Sequence, residues 1–543
     1  MRTRPSRLSR TLALGGLAAV AIGGATLSSP ATAATPCTPP PRAMTFDEPG
    51  YVDTTRAGGE PIIFTHPDGT LLYGSHAGTT HFFAPESADE QIAAFAGNYR
   101  GQTYYYHSKD NGKSWTYVDR TFPPDSTLAS GFSDPEFAYD KAGNVYVSEI
   151  NLANISMSKS TDSGQSYKEQ NFFAQTVTDR QWTEGDEEDV VYIIANSFGG
   201  GTFPSRPVGN SGHYLYKSVD GGKTFTPGIP DDAGLGDIRV DKSDGTLYEA
   251  QYAGAGGDLI MRAFRGARAD DMTPEDNVVA EGVSMLAHWP TFDLDPAGNL
   301  YITWDESGQG DRPAGIYYAY STDRGKKWSA PVRLDKDEKT DIWPWLAVGD
   351  EGRVGVAWFQ ADVQLPEEDA QTPGDHGWTV QAAQSLNGLG CLSSPVPAFR
   401  NATAVADPVH AGTICQGGTV CQAQAIDRRL GDYFSVEIAG DGKFVLAYSD
   451  TRMGGPVALP GFTRQTDGPS FFGKPEPRFG SKGAVRPAPA RPQPQPQPAP
   501  RPAPKPAPLP ATGGSLAGIG LALLAGAAGV AAVRRHRQRA VTG

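Results

Sequence analysis

Short runs of alternating apolar and polar residues, each broken by a turn containing Gly and followed by a second run, recur along this chain. Alternation with a period of two is typical of half-buried strands, so each pair of runs predicts a β-hairpin. Seven copies occur, at 61–73, 135–146, 182–192, 238–248, 290–301, 345–355 and 434–444. The copy at 182–192 is degraded. We therefore expect seven hairpins, or six if that unit or the last one is an insertion.

A second repeat lies between these hairpins and reads Ser-x-Asp-x-Gly, followed three residues later by an aromatic residue. Its four aspartates are Asp110, Asp162, Asp220 and Asp323, which are 52, 58 and 103 residues apart. The aspartate can accept hydrogen bonds from backbone N–H groups of its own turn, and the glycine can adopt the positive φ of a tight turn. A period near 50 residues predicts stacked supersecondary units, none of which buries its apolar face alone.

This second repeat resembles the Asp-box of the bacterial neuraminidase repeat, which makes the chain similar to sialidase-type β-propellers. The resemblance implies an all-β propeller of about seven four-stranded blades, with six as the alternative. It also places the boxes on outer hairpins, remote from the binding face, so we expect the four aspartates to be structural and not metal ligands. The segment 385–388 looks like a worn copy in the sixth unit, and the fourth unit has none.

The two ends of the chain predict targeting signals around the propeller, which we place at 34–480. Residues 1–33 carry four arginines, an apolar stretch and an Ala-x-Ala site, the pattern of a secretory signal peptide. Residues 481–508 are rich in Pro, Ala and Gln, and predict an extended linker of polyproline II character. We expect this linker to span the cell wall.

Residues 509–543 resemble the cell-wall sorting signal of Gram-positive surface proteins. The motif is Leu509, Pro510, Ala511, Thr512 and Gly513, followed by an apolar run over 516–533 and a basic tail. The resemblance implies that a sortase joins Thr512 to peptidoglycan, so the apolar run would be a membrane helix only before sorting. The expected location is the outer face of a Gram-positive cell wall.

Net charge limits the classes of partner that we expect, and the cysteine content predicts disulfides. The formal net charge is −14, and removal of eight arginines in the two signals brings it to −22, so we do not expect nucleic-acid binding. Four cysteines in an exported chain predict disulfides. Proximity in sequence favours Cys415–Cys421, which leaves Cys37–Cys391 to tie the N-terminus to a late blade, although three connectivities exist. No Cys/His spacing indicates zinc, and we expect no cofactor, although a ring of carboxylates could hold a structural cation.

Candidate site residues stand where inner strands of the propeller begin, because those positions converge on the axial funnel. We expect the carboxylates there to be the catalytic candidates: Asp134, Asp179, Asp237, Asp341 and Asp432. Ligand-binding candidates are Arg180, Arg239, Arg452, His288, Trp182, Trp289 and Trp343. Crowded carboxylates push one another's pKa values apart, and tryptophans give sugars a stacking surface. The alternative is that the aspartates cap strand entries and the tryptophans wedge between blades.

The catalytic features that the sialidase resemblance implies are not matched. No Arg-Ile-Pro strand occurs, and nothing around Arg180, Arg239 and Arg452 matches the family's arginine triad. Fold alone does not supply function. We therefore expect a surface protein that binds glycans or another extracellular ligand. The alternatives are an exo-sialidase-like glycoside hydrolase that uses the funnel carboxylates and a structural or adhesive module that recognises protein.

Overall fold

The computed structural model describes residues 34–479, except 77–80, 84–88, 91–102, 119–132, 152–153, 168, 174–177, 198–211, 232–235, 253–256, 287, 311, 454 and 476–477. By compactness the chain divides into Met1–Thr35 and Pro36–Gly543. The described part of the second unit is an all-β propeller of seven antiparallel sheets, six with four strands and one with five. The degraded copy at 182–192 forms a full blade, which confirms seven blades and excludes six.

Among the described residues, 29 strands, β1 to β29, build the blades, and each blade runs from an inner to an outer strand. Blades 1 and 2 comprise β3 Gly59–Thr65, β4 Leu71–His76, β5 Thr103–Ser108, β6 Thr116–Val118, and β7 Ser133–Tyr139, β8 Val145–Asn151, β9 Asn154–Ser160, β10 Glu169–Phe173. Blades 3 and 4 comprise β11 Thr178–Gly185, β12 Val191–Ser197, β13 Gly212–Ser218, β14 Ile229–Asp231, and β15 Ile238–Asp241, β16 Thr246–Tyr252, β17 Gly257–Phe264, β18 Glu275–Val283.

The ring closes with strands from both ends of the propeller. Blades 5 and 6 comprise β19 Thr291–Leu294, β20 Leu300–Glu306, β21 Gly315–Ser321, β22 Val332–Arg333, and β23 Asp341–Val348, β24 Val354–Ala361, β25 Gly377–Ser385, β26 Arg400–Ala411. Blade 7 comprises β27 Ser435–Ile438, β28 Phe444–Asp450 and β29 Leu459–Asp467, with β1 Thr45–Phe46 and β2 Gly50–Tyr51 paired to β29. The N-terminal segment therefore completes the last blade.

Helical structure among the described residues consists of short elements. A helix spans Thr419–Gln424, and 3-10 turns span Ala267–Ala269 and Pro366–Glu368. None of the helices in this described part has the length and apolar character that crossing a membrane requires. The predicted signal peptide, the linker and the sorting signal, with its apolar run at 516–533, lie outside the described residues.

Two disulfides form, Cys37–Cys391 and Cys415–Cys421, and confirm the favoured connectivity. Cys391 lies between β25 and β26, so the first bond ties the N-terminal segment to blade 6. The same segment is also held by hydrogen bonds, since Cys37 N donates to Val396 O at 2.9 Å and Asn387 Nδ2 donates to Thr38 O at 2.8 Å.

The Asp-boxes lie where the third strand of a blade turns into the fourth, and their aspartates are structural. Asp220, for example, accepts from Thr224 N at 2.9 Å and from Thr224 Oγ1 at 2.7 Å. The box glycines have positive φ, such as +82° at Gly222. A Cβ there would lie 2.7 Å from Met157 Cγ of the preceding blade. All four boxes therefore favour glycine for the turn, and those at Gly112, Gly164 and Gly222 also need it for the approach of the neighbouring blade.

Candidate functional site

Four aromatic rings from four different blades meet at the propeller axis. Trp182 lies 5.0 Å from Trp289 and 6.0 Å from both Trp345 and Tyr433, measured between ring centroids. Trp289 lies 5.6 Å from Tyr433. These residues belong to or directly precede the inner strands of blades 3, 5, 6 and 7, and none of them is more than 4% exposed. We call these four residues the aromatic plug. Aromatic groups of this size dominate the energetics of a core.

A buried ion cluster lies beside the plug. Asp432 accepts from Arg428 Nη2 at 2.6 Å, and it also pairs with Arg428 Nη1 and with Arg180 Nη2. Burial raises the pKa of Asp432, but Arg180 and Arg428 more than offset this, and the resulting pKa lies below the ordinary value. The guanidinium of Arg180 also stacks 4.6 Å from the Trp289 ring centroid. Both arginines are thus already paired with a carboxylate of the chain itself.

Glu60 extends this cluster toward blade 1. Its Oε1 accepts from Asp432 N at 3.1 Å and lies 3.7 Å from Arg428 Nη2. Its two oxygens also lie 3.0 Å from His76 Nε2 and 3.1 Å from His81 Nε2. Burial raises the pKa of Glu60, but the two histidines, His81 above all, offset this and hold the pKa well below its ordinary value. Glu60 is therefore an ionised carboxylate in a buried site.

A repeated backbone irregularity puts these side chains at the axis. In blades 1, 2, 3 and 6 the register of the inner strand shifts near its start, as β-bulges do. The residue with positive φ in each bulge is Glu60 (+42°), Asp134 (+50°), Arg180 (+56°) or Trp343 (+56°). A non-glycine residue in this region costs roughly 1–3 kcal/mol, which the surrounding structure must offset. In each of these blades the bulge changes the direction of one side chain.

These bulges correct the predicted alignment of the candidate carboxylates. Asp134 occupies the bulge position, whereas Asp179 comes one residue before it in blade 3 and Asp341 comes two residues before it in blade 6. The three aspartates therefore do not occupy equivalent positions in their blades. Asp179 pairs with Asn196 in the sheet, and its side chain is outside the described part.

Six of the predicted site residues do come together. Arg180 and Asp432 are paired, and His288 stacks on Trp289 at 4.3 Å and on Trp343 at 6.0 Å, next to Trp182. Burial lowers the pKa of His288 to about 3, and Arg180 adds to this effect, so the imidazole is neutral. The three tryptophans are buried, as the alternative of a structural role requires.

Asp237 and Arg239 lie in a second axial cluster. Arg239 Nη1 donates to Asp237 Oδ1 at 2.7 Å, and Arg239 Nε lies 3.8 Å from Glu184 Oε1. Glu136 and Asp293 also act electrostatically on Arg239. Burial raises the pKa of Asp237 to about 7 and that of Asp293 to about 6, although Arg239 opposes both shifts. At neutral pH this cluster holds protonated and ionised carboxyl groups side by side.

The remaining candidates have other neighbours. Asp341 Oδ1 accepts from Trp358 Nε1 at 2.6 Å and from Gln360 Nε2 at 2.9 Å. Arg452 is engaged by Asp450, with Nη2 to Oδ2 at 2.5 Å. Asp134 lies at the bulge of blade 2 and is 8% exposed. The structure therefore does not unite Arg180, Arg239 and Arg452 on one anion-binding spot, since each is paired with a different aspartate.

Five residues of the site were not predicted from the sequence: Glu60, His76, His81, and Trp345 and Tyr433 of the plug. Glu60 precedes Pro61 at the same place where Asp134 precedes Pro135, so a comparison of inner strands by their prolines would have found it. The two histidines follow no repeat, and nothing in their spacing separates them from other histidines.

Comparisons with known proteins add little to this geometry. No family model matches the chain. The exo-alpha-sialidase of Aspergillus fumigatus is 26% identical over 156 residues, which cover 24% of this chain and 38% of that relative. The chain thus matches well under half of the relative's length.

Similarity to solved structures is also low. A protein of unknown function from Dyadobacter fermentans has a TM-score of 0.41 and 14% identity, with 78% of this chain and 99% of that chain covered. The NanB sialidase from Streptococcus pneumoniae has a TM-score of 0.37 and 12% identity, with 79% and 71% covered. Because both TM-scores are below 0.5, we infer nothing further from these structures. The seven-blade architecture is shown by the strand pairing.

Proposed function

We propose that this protein is an exported, sortase-anchored surface protein whose sialidase-like propeller binds an extracellular glycan without turning it over. One observation separates binding from catalysis: the carboxylates that converge at the aromatic plug are buried and already paired. Asp432 is held by two arginines, and Glu60 by two histidines. A nucleophile or a general acid must be free to reach substrate, and these groups are not.

The class of ligand follows from the Asp-box repeat and from the name of the curated relative, an exo-alpha-sialidase. Both support a carbohydrate ligand. A glycan array probed with the purified full-length protein tests this. We expect one structural class of glycan to be bound, and we expect an Asp220→Ala variant, altered in an outer turn, to bind it equally. An array without signal from folded protein would contradict the proposal.

Glycoside hydrolysis is the second candidate: the cluster around Arg239 has carboxyl pKa values suited to it, although Asp237 is itself fully buried. Asp237, with a pKa raised by burial to about 7, lies 2.7 Å from Arg239 and near Glu184. A protonated carboxyl beside an ionised one is the asymmetry that glycosidases use. A panel of fluorogenic glycosides, sialosides included, separates the two functions. Turnover that Asp237→Asn abolishes and Asp220→Ala preserves would establish hydrolysis, and absence of turnover supports binding.

Surface anchoring rests on the motif 509–513 and has its own test. In a Gram-positive host we expect the protein in the wall fraction, released by a muramidase. The Thr512→Ala variant should leave the wall fraction and appear in the membrane or the medium. Thr542→Ala, which changes a threonine beyond the basic tail, is the matched control and should stay in the wall. Equal wall retention of both variants would refute anchoring through Thr512.

A further inference from the structure

Glu60, His76 and His81 form a compact cluster at the junction of blades 1 and 7. All three are buried, at 1%, 0% and 3% exposure. One potential ligand atom from each residue lies within 4.8 Å of the others. The imidazole rings stand 4.4 Å apart and nearly perpendicular, at 87°, so both Nε2 atoms face the same carboxylate. We call these three residues the axial triad.

The local backbone is built to bring the axial triad together. Glu60 is the positive-φ residue of the bulge in β3, and His76 ends β4, where it pairs with Gly59. A Cβ on Gly59 would lie 3.1 Å from His81 Cγ, so the absence of a side chain there lets the His81 ring approach. Gly431 is equally constrained, because a Cβ would lie 2.5 Å from Glu60 Cγ and 3.2 Å from His81 Nε2.

The donor groups of the axial triad suit a cation. A neutral imidazole and a carboxylate are the forms in which these residues bind metals. Two imidazole nitrogens with a carboxylate oxygen form a donor set that zinc and related first-row ions use.

The distances fit the edges of a coordination polyhedron. Metal–nitrogen and metal–oxygen bonds of about 2.0–2.1 Å place neighbouring ligand atoms roughly 2.9–3.4 Å apart, depending on the coordination geometry. His76 Nε2 lies 3.0 Å from Glu60 Oε2 and His81 Nε2 lies 3.1 Å from Glu60 Oε1, so each nitrogen has one carboxylate oxygen at such a distance and a bidentate carboxylate would supply both edges. Hydrogen bonds from the imidazoles to Glu60 would give the same distances. The metal content of the protein decides between a hydrogen-bonded cluster and a metal site.

The Glu60 carboxylate also has partners outside the axial triad. Glu60 Oε1 accepts from Asp432 N, and Arg428 approaches that oxygen at 3.7 Å while both of its Nη atoms pair with Asp432. Such outer partners orient metal-ligating carboxylates. They belong to the segment that enters blade 7, so a metal held by blade 1 would be linked through Glu60 to the last blade.

We propose that the axial triad binds one divalent transition-metal ion, zinc in the first instance, and that this ion stabilises the contact between blades 1 and 7. The site is independent of the glycan-binding proposal. Its function is structural, because all three ligands are buried and two of the three come from one hairpin of the ring.

The test is the metal content and thermal stability of the full-length protein, purified without a polyhistidine tag, exposed to ZnCl₂ and desalted. We expect about one zinc per chain by mass spectrometry. A chelator should lower Tm, and ZnCl₂ should restore it. When cobalt from CoCl₂ replaces zinc, the protein should show visible d–d absorption bands typical of a cobalt ion with nitrogen ligands. Less than about a tenth of an equivalent of zinc, with no response of Tm to chelator or zinc, would overturn the proposal and leave the triad as a hydrogen-bonded cluster.

Variants assign the site to its residues. We expect Glu60→Gln and His81→Asn to lose the zinc, and His66→Asn to keep it. His66 is the matched control, because it lies in the same hairpin and pairs with one carboxylate, that of Asp68, at 2.8 Å. Zinc retained at full stoichiometry by both triad variants would place the metal elsewhere and refute the assignment. The wild-type measurements decide the question even if a variant fails to fold.

Discussion

The bond between Cys37 and Cys391 should contribute far more to stability than the bond between Cys415 and Cys421. The two pairs are 354 and 6 residues apart in sequence. A cross-link lowers the entropy of the unfolded chain by an amount that grows with the logarithm of the loop it closes. At 25 °C this gives about 6 kcal/mol for the long loop and about 2 kcal/mol for the short one.

The folded state should change little when the long-range bond is removed. Hydrogen bonds from Cys37 N and to Thr38 O still hold the N-terminal segment, and β1 and β2 still pair with β29. We therefore expect the loss to arise in the unfolded state.

The assay is chemical unfolding of the two double serine variants beside the wild type. We expect the Cys37→Ser, Cys391→Ser protein to lose about 4 kcal/mol more than the Cys415→Ser, Cys421→Ser protein. Near-ultraviolet spectra of all three proteins check that the native packing is kept. Equal losses, or a larger loss for the short loop, would refute the entropic account of ring closure.

Three further changes follow from the packing. Stability should fall as pH rises from about 5 to about 8 and then level off, because burial raises the pKa of Asp237 to about 7 and those of Asp341 and Glu437 to about 8; over this range the folded state holds protons that the unfolded chain has lost, and each group contributes up to about 1.4 kcal/mol per pH unit below its folded pKa. Thermal melts at constant ionic strength measure Tm as a function of pH. The fall in Tm with pH should be shallower in Asp341→Asn, and a Tm that rises with pH would contradict the reasoning. Asp220→Ala should cost about 1–2 kcal/mol in urea unfolding, because its turn loses a charged acceptor; no change would show that the box is dispensable. Trp182→Ala should cost about 3–5 kcal/mol by the same assay, since it opens a cavity in the aromatic plug; a loss below about 1 kcal/mol would mean that the plug does not hold the blades.

The architecture was predictable because it repeats. Seven copies of a hairpin pattern located seven pairs of inner strands, and the Asp-boxes located the turn between the third and fourth strands. The worn copy at 385–388 behaves as predicted, with Asn387 N donating to Ser385 Oγ at 3.2 Å. Period and turn chemistry are local properties, so they can be read from the sequence.

The candidate site was harder to predict because it depends on register. A bulge adds one residue to a strand, and a shift of one residue sends every later side chain to the opposite face. Asp134 and Asp341 both stand where an inner strand begins, but Asp134 is the bulge residue of blade 2, whereas Trp343 is the bulge residue of blade 6. The partners of Glu60 were also hidden, since contacts between blades join residues such as Glu60 and Asp432 that are far apart in sequence.

The state of Arg180 and Arg428 bears on which ligand the propeller can take. A sialidase-like site needs arginines free to receive the carboxylate of an acidic sugar, but here Asp432 already pairs with both. An acidic ligand would have to displace a buried carboxylate whose pKa is held low by those two arginines. Breaking such a buried pair costs about 3–5 kcal/mol, and the expected net charge of −22 after processing also opposes anionic ligands. The observed pairing therefore favours a neutral glycan, bound away from the plug, over a sialic acid held at the axis.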